Sequence, residues 1–277
     1  MALKAFFRWL SGQRGYRSRL TSSDAEFFNA SSRDTAIAKA RRERALPTVD
    51  QIRHVVNSMP SRTDIERRNR ALIATAILTG ARDNALASLR LGDVNVEALS
   101  VFQDANHVRT KFSKTQMTTL YPVGEDFRII LTDWVSFLLK EKLWSLTDPL
   151  FPATKVEVGK DKRFTVVGLD RGGWSNTSRI RTIFKDAFLA AGLPYFNPHS
   201  FRHTLARLAS DHCDDYEQLK SWSQNLGHDD LRTTMVSYGK IAGYRQAQVI
   251  RAMWEKALGD TQVLPPLSAR ELPAGKV

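Results

Sequence analysis

Cysteine occurs once in this sequence, at Cys213, which excludes an intramolecular disulfide and suits a reducing cytoplasm. No apolar run approaches membrane-spanning length, so nothing in it reads as a transmembrane helix. The opening stretch MALKAFFRWLSGQRGYRSRL lacks the unbroken apolar segment of a secretory signal, because Lys4 and Arg8 interrupt it. His, Cys, Asp and Glu do not cluster at metal-ligand spacing. His199 and His203 lie four apart on one predicted helix, but no third ligand follows nearby. Acidic residues are the minority, 29 against 41 Lys and Arg, for a formal net charge of +12. That surplus calls for a polyanionic partner, and nucleic acid is the commonest. Internal repeats and low-complexity tracts are also missing.

What is present is a 277-residue chain, 42% hydrophobic, long enough for one large domain or two small ones around a proper core. Residues 1–46 carry ten basic and four acidic side chains and one apolar cluster, Phe6, Phe7, Trp9 and Leu10, with no partner segment nearby. Pro47-Thr48 opens the next region, Thr48 capping a helix from about Val49 to Met59. Apolar periodicity predicts further helices over 64–79, with Gly80 as its C-cap, and over Ala81 to Leu91. Arg82 then falls at a buried helix–helix junction, where it needs an anion, either carboxylate or phosphate. Three short strands are predicted at Val101-Phe102, Val108 to Phe112 and Thr118 to Tyr121, with Ser113 to Gln116 as the turn. Asp126 to Lys142 is an amphipathic helix, and Pro149 to Gly173 reads as an exposed loop. Helices follow at Asn176–Ala191, His199–His212, Tyr216–Leu226 and Tyr244–Leu258, with a short helix or turn at Thr233–Tyr238. The segment 259–277 reads as an unstructured tail.

The central stretch is Asn197-Pro-His-Ser-Phe-Arg-His-Thr204. Pro198 suits the first turn of a helix, and His199 and Arg202, three apart, share one face near its N-terminus. That end favours an anion, so the pair makes a phosphate-binding surface. Alone, H-x-x-R is a weak signal. It is joined by Thr79-Gly-Ala-Arg82, by Ser113-Lys114-Thr115, by Asn225-Leu-Gly-His228 and by Ser237-Tyr238-Gly239. Each is weak; the ordered set is specific. It resembles the tyrosine recombinases, the phage integrase family, over roughly residues 47–258.

The resemblance implies an α+β fold, mainly α with a small antiparallel β-sheet, that of the integrase catalytic domain. It implies that residues 1–46 are the remnant of a helical core-binding domain and its basic linker. It also implies a chemistry. A tyrosine attacks a phosphodiester in line, the charge on the phosphoryl oxygens is neutralised, and the departing sugar oxygen takes a proton. Arg82 and Arg202 would hold the phosphate, since a guanidinium binds two of its oxygens in fixed geometry. His228 would donate to the same phosphate, and His199 would do likewise or accept the tyrosine proton. Tyr238 would be the nucleophile, forming a 3′-phosphotyrosine, with Tyr244 as alternative. Lys114 would be the general acid, with Lys111 as runner-up. The covalent bond conserves the phosphodiester energy, so neither metal, ATP nor other cofactor is implied.

Two departures from the family pattern stand out. Ala85 occupies a position that is often acidic, leaving Asp83 or Asn84 to orient Arg82. The interval from His228 to Tyr238 is one residue longer than usual. The partner implied is double-stranded DNA at an attachment site, met as a tetramer on DNA and a monomer when free, with DNA-bending or directionality proteins as accessories. The location implied is the bacterial cytoplasm and nucleoid, and the source a mobile element. Two other functions compete. A type IB topoisomerase shares the chemistry, but there the H-x-x-R histidine is usually lysine, and His199 argues against it. A DNA-binding protein that has lost catalysis is favoured by the short N-terminal region and opposed by the intact residue set.

Overall fold

The computed structural model describes residues 2–39, 45–159 and 162–228, together with 247, 248, 250, 251 and 253. The chain divides into two units, Met1–Ala45 and Leu46–Val277. No helix among the described residues is long and apolar enough to cross a membrane.

The first unit consists of α1 (Ala2–Ser11), a 3-10 segment (Ser22–Phe28) and α2 (Ser32–Lys39). Lys4 and Arg8, one turn apart on α1, donate to the Glu26 carboxylate at 2.6 and 2.5 Å. Lys4 first, then Asn29 and Arg8, hold that carboxyl down at about 2. The Phe7 ring meets Phe28 at 4.7 Å. The apolar cluster of α1, expected to lack a partner segment, therefore has one in the Ser22–Phe28 segment. Phe6 and Trp9 remain exposed.

The second unit begins with α3 (Val49–Ser58) and α4 (Asp64–Thr79). Both start with reciprocal caps. Thr48 Oγ1 accepts from Gln51 N while Gln51 Oε1 accepts from Thr48 N, and Thr63 and Glu66 repeat the arrangement. Each such cap contributes about 1 kcal/mol. From Ala71 to Thr79 every residue of α4 is buried, so this helix is the central strut of the domain. Truncating Leu72, which is fully buried, costs about 2–5 kcal/mol. After Gly80 comes α5, a single turn (Asp83–Leu86), then an antiparallel sheet in the order β1 (Val94–Asn95), β2 (Ser100–Gln103), β3 (Gln116–Thr119). Helix α6 (Glu125–Ser136) runs on through a π-helical turn at Phe137–Glu141. A separate hairpin, β4 (Thr154–Val158) and β5 (Phe164–Leu169), precedes α7 (Ser178–Ala190), α8 (Pro198–His212) and α9 (Tyr216–Asn225). Phe201 of α8 packs on Phe184 and Phe188 of α7, with ring centroids 5.1 and 6.1 Å apart. The α+β class, mainly helical with small antiparallel sheets, is as expected.

Three local expectations are corrected. The helix predicted to Leu91 stops at Leu86: the amides of Ala87 to Leu89 still bond back to Asp83 and Ala85, but Leu91 N turns to Asp148 O at 2.9 Å and the Leu89 carbonyl accepts from Leu150 N at 2.8 Å. Val108 to Phe112 is not a strand. Val108 is a buried plug, and Arg109 is tied to Ser88 through its amide and to Trp174 and Ser175 through its guanidinium. Strand β3 pairs with β2 instead, and Lys114 lies at the end of the long β2–β3 connection. The stretch Pro149 to Gly173 is not all loop, since it contains the β4–β5 hairpin.

Candidate active site

Helix α8 begins where Asn-Pro predicts. Asn197 accepts from Ser200 N at 3.1 Å, and Pro198, lacking an N–H, occupies the first turn. Phe201, Leu205 and Ala209 are fully buried, which fixes the rotation of the helix and turns Arg202 inward. Arg202 is 5% exposed. Its Nη1 donates to Gly80 O and its Nη2 to Leu226 O, and Nη2 stands 3.5 Å from His228 Nε2. One guanidinium thus ties the Thr-Gly-Ala-Arg corner to the Leu-Gly-His turn.

The two glycines in these motifs have separate reasons. Gly80 ends α4 in the left-handed region, φ +59°, and a Cβ there would lie 2.9 Å from Leu205 Cδ1 and Leu226 Cδ2. Gly227 has φ +71°, and a Cβ would collide with the Gln116 side-chain amide. The Leu-Gly-His turn is also pinned to the edge of the sheet. Asn225 Oδ1 accepts from Thr119 N and its Nδ2 donates to Thr119 O, both at 2.8 Å, much as a neighbouring strand would. Gln116 Nε2 donates to Asn225 O at 2.8 Å. Tyr121 donates to Trp222 O, and Trp222 donates to Leu205 O, both at 2.9 Å. These polar braces were not singled out from sequence. Only Asn225 lay inside a quoted motif, and nothing local marks Gln116 or Tyr121 as its companions.

Arg82 is the N-cap residue of α5, half-buried rather than sealed in a helix–helix junction. Among the described residues its guanidinium has no hydrogen-bond or carboxylate partner. Asp83, one of the expected orienting groups, is engaged otherwise: Arg181 donates to its Oδ2 at 3.0 and 2.8 Å. A cleft of about 260 Å³ is lined by Arg82, Lys111, Lys114, Gln116, Gly227 and His228. Both candidate lysines therefore stand on the same rim, and both are exposed. His199 lies on the first turn of α8, its ring perpendicular to that of His203 at 4.8 Å. Tyr238 and the alternative Tyr244 lie outside the described residues, as do the Thr233–Tyr238 segment and the tail. The described residues contain no group of three His, Cys, Asp or Glu able to hold a metal.

The electrostatics are those of a site prepared for an anion. Burial, then the neighbouring Arg82, lowers Arg202 to about 10, and burial lowers Arg82. Burial, then Arg202, Arg82, His203 and His199, holds His228 down at about 4. Partial desolvation, then His203, Arg202 and Arg82, lowers His199, while Asp83 opposes the shift. Burial pushes the Tyr121 phenol up, so it serves as a hydrogen-bond donor. Two guanidinium groups and three imidazoles are close enough to repel one another's protons, and Asp83, the carboxylate that acts on His199 among the described residues, is held by Arg181.

Residues 44–242 match the model of the phage integrase family. The chain belongs to the phage integrase family. Among curated proteins it is 28% identical over 191 residues to tyrosine recombinase XerC of Corynebacterium efficiens, covering 69% of this chain and 52% of that protein. It is 25% identical over 243 residues to tyrosine recombinase XerC of Lactobacillus delbrueckii subsp. bulgaricus, covering 85% and 68%. The chain thus spans about half the length of the first relative and about two thirds of the second. Among solved structures, a lambda integrase (75–356) dimer bound to a COC' core site superposes with a TM-score of 0.57 at 16% identity, covering 87% of this chain and 72% of that one. XerH recombinase bound to palindromic difH substrate gives 0.51 at 20% identity, covering 77% and 55%. At these identities the superpositions speak to the fold, and the fold is that of the integrase family.

Proposed function

We propose that this chain is a site-specific DNA recombinase that cleaves and rejoins strands through a 3′-phosphotyrosine. The observation that carries this reading is that Arg82 and His228 line one cleft, with the Arg202 guanidinium 3.5 Å from the His228 ring. Such a cluster is completed by an anion, and a phosphodiester offers two oxygens to each guanidinium. Arg202, already fixed by two backbone carbonyls, is preorganised to receive it. His228, neutral at pH 7, gives a hydrogen bond without carrying charge. His199 donates to the phosphate or accepts the proton of the attacking phenol. Lys114 on the cleft rim protonates the leaving 5′ oxygen. Tyr238, ten residues beyond His228, is the nucleophile.

Double-stranded DNA is the partner that fits a net charge of +12, and a similar solved structure, the Tn1549 transposon integrase, is in complex with a circular intermediate DNA. The finer reading is an integrase of a mobile element, monomeric when free, assembling as a tetramer on its attachment site in the bacterial cytoplasm. Accessory DNA-bending or directionality proteins belong to that finer reading too. The test is a nicked suicide duplex that traps the covalent adduct. Tyr238→Phe is expected to abolish the adduct and leave DNA binding intact. Mapping of the adduct to Tyr244 would move the nucleophile, and no adduct from the unaltered chain would overturn the assignment of activity.

A further inference from the structure

The β2–β3 connection holds a side chain that the proposed chemistry does not use. Phe112 is 86% exposed, and it lines the same cleft as Arg82 and His228. Its backbone is left-handed, φ +60°, and so is that of Ser113, φ +50°. Two consecutive non-glycine residues in that region are uncommon and strained. Lys111 lies over the Phe112 ring at 4.7 Å, and Lys114 follows two residues on. Just before them, the buried Thr110 hydroxyl has no hydrogen-bond partner among the described residues. The segment thus spends backbone strain and an unsatisfied donor to hold an aromatic ring out into solvent, between two lysines, at the mouth of a cationic cleft.

An exposed ring flanked by cations has few chemical complements. Another apolar protein surface would have to desolvate both lysines. A nucleobase offers a π-face to the ring while its own phosphates meet the lysines, which is how sequence-tolerant stacking platforms bind strands. We propose that Phe112 is a base-contacting residue, its ring stacking on a nucleobase beside the phosphate held in the Arg82–His228 cleft. This rests on the recombinase reading for the phosphate and adds a contact that unstacks or caps the neighbouring base. Apolar side chains at such steps ease local opening of the duplex.

The probe is a short nicked duplex that the full-length protein selects from a randomised library, with 5-iodouracil placed in turn at each thymine near the nick. Irradiation couples iodouracil to an aromatic ring stacked on it, and peptide mapping identifies the residue. The expected result is a crosslink on Phe112 at one or two adjacent positions. Phe112→Ala should lose that crosslink and weaken binding about tenfold, while Phe112→Trp retains both. Circular dichroism of Phe112→Ala should match the parent, since the ring is exposed. Crosslinks confined to other residues, or binding unchanged in Phe112→Ala, would overturn the proposal, as would self-association through this ring in place of DNA contact. The two readings separate cleanly. A covalent tyrosine adduct without a Phe112 crosslink leaves the recombinase and removes the stacking. A Phe112 crosslink without an adduct leaves the stacking and removes the chemistry. Failure to retain any duplex removes both.

Discussion

Arg202 Nη2 and His228 Nε2 stand 3.5 Å apart, a buried cation facing an imidazole that must stay neutral. Burial first, then Arg202 and its cationic neighbours, holds His228 at about 4 against an ordinary 6.5. The unfolded chain takes up this proton at the ordinary value and the folded chain only near 4. The contribution to stability is therefore fully present above about pH 6.5 and is lost as the pH falls from there toward 4. His199 is displaced in the same direction. Urea midpoints should fall with acidification across this window, and His228→Gln should flatten the fall. A midpoint independent of pH there would show that His228 is not desolvated beside Arg202.

The two arginines should respond in opposite ways to truncation. Arg202→Ala leaves the Gly80 and Leu226 carbonyls buried without their donor, an expected loss of about 2–4 kcal/mol. Arg82→Ala removes a half-buried cation with no partner among the described residues and should stay within about 0.5 kcal/mol of the parent. Both should abolish the covalent adduct. Equal destabilisation by the two would make Arg82 a structural residue.

Asn225 acts as a one-residue strand against Thr119. Replacing it with Ala removes two hydrogen bonds, about 1–2 kcal/mol together. Asn225→Asp should be worse, because it sets a carboxylate oxygen against the Thr119 carbonyl where an amide donated. Denaturation of the two variants tests the order, and adduct formation should fall in parallel as the Leu-Gly-His turn loosens.

The order of these effects bears on what could be read from the sequence. Helix α8 was legible because its signals are local: Asn197 and Pro198 at the start, and an apolar stripe at helical spacing. Gly80 as a C-cap was legible for the same reason. The join between the motifs was not. Arg202 reaches Gly80 and Leu226 across long sequence separations, and no spacing rule encodes that. The errors follow the same division. Val108 and Phe112 have strand-like side chains, yet one plugs the core and the other stands in solvent. The β4–β5 hairpin was hidden because its apolar residues, Val156, Val158, Phe164 and Val166, are exposed rather than alternating into the core. The helix after Arg82 was overcalled because tertiary pairing with the 148–150 segment captured the Leu89 carbonyl and the Leu91 amide.

Lys114 and Lys111 share the cleft rim, so kinetics must choose between them. A general acid matters only when the leaving oxygen needs a proton. On a substrate with a 5′-bridging phosphorothiolate the leaving sulfur needs little help. Lys114→Ala should be slow on the ordinary duplex, by about 100-fold or more, and close to normal on the thiolate. Lys111→Ala should lose much less and show no selective rescue. The reverse pattern would transfer the role to Lys111.

The last expectation concerns salt. Ten of the basic residues lie in 1–46, beside only four acidic ones. Affinity for DNA should therefore come mainly from phosphate contacts and the counterions they release. For duplex DNA the logarithm of affinity then falls linearly with the logarithm of salt, by about 0.9 for each phosphate neutralised. Arg14 and Arg19 are exposed, so replacing both with Ala should lower the slope by about 2 while leaving stability unchanged. Arg82→Ala should lower it by about 1. Phe112→Ala, which removes no charge, should weaken binding without altering the slope. Gel-shift titrations of the parent and these variants at several salt concentrations distinguish the terms. Tight binding that ignores salt would mean that contacts other than phosphate neutralisation hold the DNA, and would remove the electrostatic account of the basic N-terminal stretch.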